Sequence, residues 1–185
     1  MLARWITPAL LPLLAACASS VPHYRYYTLD MAPRAGIDDP VQLASVRIDV
    51  NEALSRPEIL VRTSPTSVEY YALDRWASSL NEQLGEKIKT EFASAGPSAP
   101  TVELDGVLMA FEQVDTGTAA EVRVKLDATL TVTQSGRKGT FNKLYIESQP
   151  AAASSANAVV EALSRAVETI AVRISGDVEA YIAAM

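Results

Sequence analysis

The sequence predicts an α/β fold: a two-layer sandwich, with a mixed, mostly antiparallel sheet and two long helices packed on one face. Residues 122–132 alternate without a break, Val122, Val124, Leu126, Ala128, Leu130 and Val132 against Arg123, Lys125, Asp127, Thr129 and Thr131. A period of two belongs to a strand with one face buried. Two other stretches run at a period near 3.6. Leu73, Trp76, Ala77, Leu80, Leu84, Ile88, Phe92 and Ala95 make one apolar stripe. Ala156, Val159, Val160, Leu163, Val167, Ile170, Ile174, Val178, Tyr181 and Ile182 make the other. Each stripe needs a partner surface, and a half-buried sheet supplies it when both helices lie side by side on one face.

The chain opens with a targeting segment. Residues 1–16 carry one charge, Arg4, and then an apolar run from Trp5 to Ala16. That run is too short to cross a bilayer, which takes about 20 residues. A basic start, a short apolar stretch and small residues at its end describe an export signal peptide. It leads into Leu14-Ala15-Ala16-Cys17, which resembles the bacterial lipobox. The resemblance implies that the Cys17 thiol takes a diacylglycerol, that residues 1–16 are removed, and that the new amino terminus is acylated. The competing reading is a cysteine buried in a core. Its place at a signal boundary, followed by Ser19-Ser20-Val21-Pro22, favours the anchor. Residues 17–23 are then a lipid-anchored tether and residues 24–185 one domain. Ala18, rather than an aspartate, follows the cysteine, and by the same resemblance this favours outer-membrane delivery. A single cysteine allows no internal disulfide, even in an oxidising periplasm.

Within the domain, Tyr24-Arg25-Tyr26-Tyr27-Thr28-Leu29 reads as a first strand, rich in aromatics. Pro33, Gly36 and Pro40 make the next stretch a loop. Ala44, Val46, Ile48 and Val50 alternate with Ser45, Arg47 and Asp49 as a second strand, stopped by Arg56-Pro57. Residues 59–62 and 68–71 are short strands around Ser64-Pro65-Thr66, and the first helix follows until Gly96-Pro97. A three-stranded meander comes next. Thr101 to Val114 is apolar on both faces near Val107-Leu108-Met109-Ala110-Phe111, which suggests a central strand. Asp115-Thr116-Gly117-Thr118 and Gln134-Ser135-Gly136 are its turns, and Thr140 to Glu147 its return. Ser148 to Ser155 is a linker, whose Ser154 or Ser155 can cap the last helix. Glu161 and Arg165 are spaced to pair on its outer face, and Gly176 is expected to bend or fray its end at a cost of about 1 kcal/mol.

Chemistry-bearing constellations are scarce. His23 is the only histidine and falls in the tether, so a Ser-His-Asp triad or a His/Cys metal site has no natural place. Gly106, Gly117, Gly136 and Gly139 fall in strands or turns rather than in a phosphate loop. Glu112, Asp115 and Glu121 cluster near one hairpin; they could bind a cation or act as an acid–base pair, but a solvated hairpin tip explains them more simply. Tyr24, Tyr26 and Tyr27 could form a lipid-facing patch, against the simpler reading of strand tyrosines with one edge buried. Trp76 could line a lipid groove, although tryptophan on an apolar stripe is usually core. The chain has a net charge of −6, and removal of residues 1–16 deletes Arg4 alone and takes it to −7. That balance argues against nucleic acid and against adhesion to anionic lipid by charge, which leaves membrane contact to the acyl chains.

Arg56-Pro57-Glu58-Ile59-Leu60-Val61-Arg62, followed by Trp76 and Leu80 inside an amphipathic helix, resembles the ABC-type transport auxiliary lipoproteins. These are the PqiC-like partners of MCE-domain lipid transporters. Family members often place an acidic residue and a proline between that tryptophan and leucine, where this chain has Ala77, Ser78 and Ser79. The resemblance implies a subunit without catalytic residues, cofactor or metal. It would be tethered at the inner leaflet of the outer membrane and dock a periplasm-spanning MCE-domain, PqiB-like transporter protein in support of membrane integrity. A homo-oligomer is compatible with it. A free-standing periplasmic lipid- or small-metabolite-binding lipoprotein is the alternative, and would need a cavity between helices and sheet.

Overall fold

The computed structural model describes residues 22–33, 41–92, 99–115, 117 and 120–185. Leu14, Ala15, Ala16 and Cys17, with the whole signal peptide and most of the tether, lie outside them, as does the Gly96-Pro97 stop. The elements run β1 (Arg25–Tyr27), β2 (Gln42–Val50), β3 (Glu58–Ser64), β4 (Ser67–Trp76), α1 (Leu80–Glu91), β5 (Thr101–Asp115), β6 (Ala120–Gln134), β7 (Arg137–Pro150) and α2 (Ala156–Ala183). Among the described residues seven strands form one sheet, in the order β1-β4-β3-β5-β6-β7, and β2 also pairs with β5. The long ladders, β5–β6 and β6–β7, are antiparallel, whereas β1–β4, β2–β5 and β3–β5 are parallel. Both helices cover one face, in the layered arrangement expected.

β5 is central, as its apolar run suggests. β2 pairs with its first half, Thr101 to Leu108, and β3 with Gln113 and Val114 on its second. Only one of its faces is covered, however. Leu104, Leu108 and Phe111 are buried under the helices, while Val107 and Met109 are 49% and 46% exposed on the outer face. β6 matches its alternation residue for residue, with Val122 through Val132 buried. α2 begins at Ser155, whose hydroxyl accepts from the Ala158 amide at 3.4 Å, and passes through Gly176 without a break to Ala183. Glu161 and Arg165 do not pair: Asn157 donates to Glu161, and Arg165 donates to the Pro150 carbonyl.

The first helix is the main correction. Its expected first turns, Leu73 to Ala77, include the end of β4, and α1 starts at Leu80. Residues 73, 76, 77 and 80 fit a helical stripe by spacing alone, but the backbone has better partners in strands. Arg25–Tyr27 of β1 run parallel beside Asp74–Trp76, and the Trp76 amide donates to the Pro57 carbonyl at 2.7 Å. Leu73 consequently points outward, 40% exposed. β1 is shorter than expected, and β7 extends three residues further, to Pro150. A proline ends it there with no donor to lose.

The loop after β1 is stitched to both helices. The Leu29 amide donates to the Gln83 side chain of α1 at 2.9 Å, and the Asp30 amide to Ser164 of α2 at 3.0 Å. Lys87, fully buried on α1, donates to the Ala32 carbonyl at 2.8 Å, to Glu168 of α2 at 3.0 Å and to Glu91 one turn along its own helix. Gly139 of β7 has no side chain to keep the Tyr181 ring off the sheet; a Cβ there would meet that ring. Tyr181 can therefore stack on Phe141 at 4.8 Å between centroids and pin the end of α2.

Candidate functional site

The sheet's uncovered face carries the groups the core does not use. Register puts Glu112 of β5 beside Arg123 of β6 and Ser148 of β7, then Ala110 beside Lys125 and Ile146, then Val107 beside Asp127 and Leu144. A groove of about 560 Å³ opens at the first of these rows, bounded by Arg62 to Pro65 of the β3–β4 hairpin and by Glu112, Arg123 and Lys125. Arg62 grips Glu112 with two parallel bonds, Nε to Oε1 at 2.7 Å and Nη2 to Oε2 at 2.9 Å. That bond raises the guanidinium's pKa further, more than partial burial lowers it. Glu112 is only 2% exposed, so Arg62 supplies the charge compensation that its burial requires. Among the described residues, neither Arg123 nor Lys125 has an ion-pair or hydrogen-bond partner.

The predicted acidic cluster is not assembled as a solvated tip. Glu112 is buried and held by Arg62, while Asp115 is exposed and accepts from the Gly117 amide at 2.8 Å. Glu121, the second residue of β6, sits opposite Val114, one rung from the Asp115–Ala120 end of the hairpin, and is half-buried. Among the described residues no group of three histidines, cysteines, aspartates or glutamates is placed to hold a metal ion. Trp76 is core, 5% exposed, with its ring 5.7 Å from that of Phe111. The β1 tyrosines diverge. Tyr24 lies under the Arg75 guanidinium at 3.7 Å, Tyr26 is exposed, and Tyr27 is half-buried, its phenol pKa pushed up by burial and then by its bond to Asp74. His23 is exposed.

Arg62, Arg123 and Lys125 are residues that sequence reasoning passed over as functional. The alternation of β6 placed Arg123 and Lys125 on one outer face. A charged outer face reads as solvated, and only the arrival of β3 makes a groove of it.

A family model described as ABC-type transport auxiliary lipoprotein component matches residues 27–175. The chain belongs to that family. No curated protein matches it. Among solved structures, a crystal structure of an uncharacterized protein superposes with a TM-score of 0.61 at 14% identity, covering 84% of this chain and 99% of that one. Protein XCC0632 from Xanthomonas campestris superposes with a TM-score of 0.61 at 17% identity, covering 85% and 99%. At such identities the two show a shared fold. The family is one of envelope transport components, and among the described residues no helix is long and apolar enough to cross a membrane.

Proposed function

We propose that the chain is a non-catalytic lipoprotein subunit of an MCE-type envelope lipid-transport system. Residues 1–16 are its signal peptide, Cys17 carries the acyl chains, and residues 17–23 tether the domain of residues 24–185 to the inner leaflet of the outer membrane. The domain docks a periplasm-spanning, PqiB-like MCE protein and positions it. The observation that carries this reading is the family match over residues 27–175, which begins ten residues after a lipobox-like cysteine. A filled interior supports it over a free-standing lipid carrier. Leu104, Val122, Leu130, Leu163, Val167 and Ile174, which line the space between helices and sheet, are all fully buried.

Affinity capture of the acylated protein from cross-linked envelopes, with mass spectrometry of its partners, tests the docking. An MCE-domain protein should be recovered with the wild type and lost with Cys17→Ser, which should also leave the outer-membrane fraction. Unchanged fractionation of that variant, with no acyl mass on the wild type, would sink the anchor. Recovery of no MCE-domain protein by an acylated wild type would sink the docking.

A further inference from the structure

We propose that the outer-face groove between Arg62, Arg123 and Lys125 binds the phosphate-bearing anionic headgroup of an amphiphile, whose chain lies along the apolar strip beside it. This goes beyond docking, because it gives the chain a ligand of its own whether or not a partner is present.

The charge pattern is the first observation. The protein is net acidic, and the other arginines and lysines of its sheet are held by carboxylates, with Arg137 the remaining exception. Among the described residues, Arg123 and Lys125 have no such partner. They stand two residues apart on one strand, so both project from the same face. Two half-buried cations alone would mean only partial solvation. Here they line a groove whose third cation is fixed: the two bonds to Glu112 take Nε and Nη2 of Arg62 and leave Nη1 unengaged among the described residues. The lining sets three cations against Glu112 and Asp115, a net positive groove on an acidic protein. A planar guanidinium already held in place suits a phosphate, since little side-chain freedom is lost when it binds.

The second observation separates an amphiphile from a free anion. At about 560 Å³ the groove is within the size range of small-molecule sites. It does not end in polar surface. The row of Lys125 holds Ala110 and Ile146, Met109 falls in the bulge of β5 between Leu108 and Ala110, and Val107 and Leu144 share the row of Asp127 beyond it. These four side chains are 41–49% exposed on one face. Beyond them the face turns polar again, with Asn142 donating to Asp127 and Thr129. A cationic groove continuous with a bounded apolar strip matches a molecule that is anionic at one end and apolar along its length. An inorganic ion would have no use for the strip.

The test uses the full-length acylated protein in a non-ionic detergent. Phosphatidylglycerol, phosphatidylcholine or inorganic phosphate is added, and native mass spectrometry reads the retained adducts. Phosphatidylglycerol should be retained, and phosphatidylcholine, with no net charge, much less. Arg123→Gln with Lys125→Gln should weaken phosphatidylglycerol retention by about 10-fold or more, the scale of one or two charge-assisted bonds. Met109→Ser with Ile146→Ser should weaken it with the cations intact. All four positions are at least partly exposed, so unchanged melting temperatures confirm folded variants. Equal retention by the charge variant would overturn the site, and equal retention of the two lipids would overturn the headgroup reading. Phosphate held as tightly as lipid, and indifferent to the strip variant, would make this a free-anion site and overturn the amphiphile. A wild-type oligomer that dissociates in the charge variant without a change in lipid retention would show that a second copy covers the face instead. None of these readouts involves a partner protein, so the docking proposal stands or falls separately.

Discussion

Replacing Lys87 by methionine should cost about 4 kcal/mol. Lys87 is fully buried and binds Glu91 of its own helix, Glu168 of α2 and the Ala32 carbonyl. Methionine keeps the unbranched apolar stem and removes the charge. It leaves two carboxylates without their common cation, one fully buried and the other 14% exposed in its side chain. It also takes the donor from the Ala32 carbonyl. Breaking a buried ion pair by removing one member costs about 3–5 kcal/mol, and an orphaned acceptor about 1 kcal/mol or more. The methionine stem recovers part of this by packing. At about 2–4 °C per kcal/mol for a chain of this size, the melting temperature should fall by roughly 8–16 °C. Urea unfolding of the full chain measures the loss directly, with an unchanged slope showing that the variant starts folded. The triple variant Lys87→Met, Glu91→Gln, Glu168→Gln should recover most of the loss, because no uncompensated charge remains. A single variant within about 1 kcal/mol of wild type, or a triple variant no better than the single, would refute this account of how the two helices and the loop after β1 are joined.

Trp76→Ala should cost about 3–5 kcal/mol, the usual range for a buried aromatic; a wild-type melting temperature would show that its contact with Phe111 contributes nothing. Tyr145, fully buried and donating to Asp177 at 2.9 Å, has its phenol pKa raised by burial first and by that bond second. Its stabilising contribution is complete below the unfolded phenol's value near 10 and is lost above it, at about 1.4 kcal/mol per pH unit until the folded phenol also ionises. Tyr145→Phe should therefore melt lower at pH 7, by about 1 kcal/mol of stability, and the gap should close between pH 10 and 11; parallel curves would refute the assignment. Gly139→Val should dislodge Tyr181 and expose the end of α2 to faster amide exchange, and an unchanged exchange rate after residue 178 would refute that packing. If Cys17 carries the anchor as proposed, the tether from Cys17 to Tyr24 reaches at most about 25 Å, at ~3.3–3.6 Å per residue. Thirty added Gly/Ser residues after Ser20 should thus weaken transport by diluting the domain at the leaflet, and full function would place docking away from the membrane surface.

Period-two and period-3.6 patterns determined much of this molecule without tertiary knowledge. β6 could bury Val122 to Val132 only as a strand, and α2 could bury its stripe from Ala156 to Ile182 only as a helix capped at Ser155. Those constraints are local, because each residue's face follows from its neighbours along the chain. The layer arrangement followed from them, since two apolar stripes and a half-apolar sheet have few ways to hide from water. The cysteine motif is also local, and Cys17 is read from sequence alone.

Tertiary structure decided what depended on partners far away in the chain. Leu73 and Trp76 satisfied a helical spacing, yet β1, about fifty residues earlier, paired with Asp74–Trp76 and drew them into the sheet. Lys87 and Glu91 have the i,i+4 spacing of an ordinary helix-surface pair, yet Lys87 is buried because it also binds the Ala32 carbonyl and Glu168 of α2. The candidate site is of the same kind. The sequence by itself set Arg123 and Lys125 on one face of a strand. That Glu112 would take Arg62 from β3 and leave those two cations bare beside an uncovered apolar strip was decided by the sheet's assembly. Charge pairing and burial act between side chains that the chain's own periodicity cannot bring together.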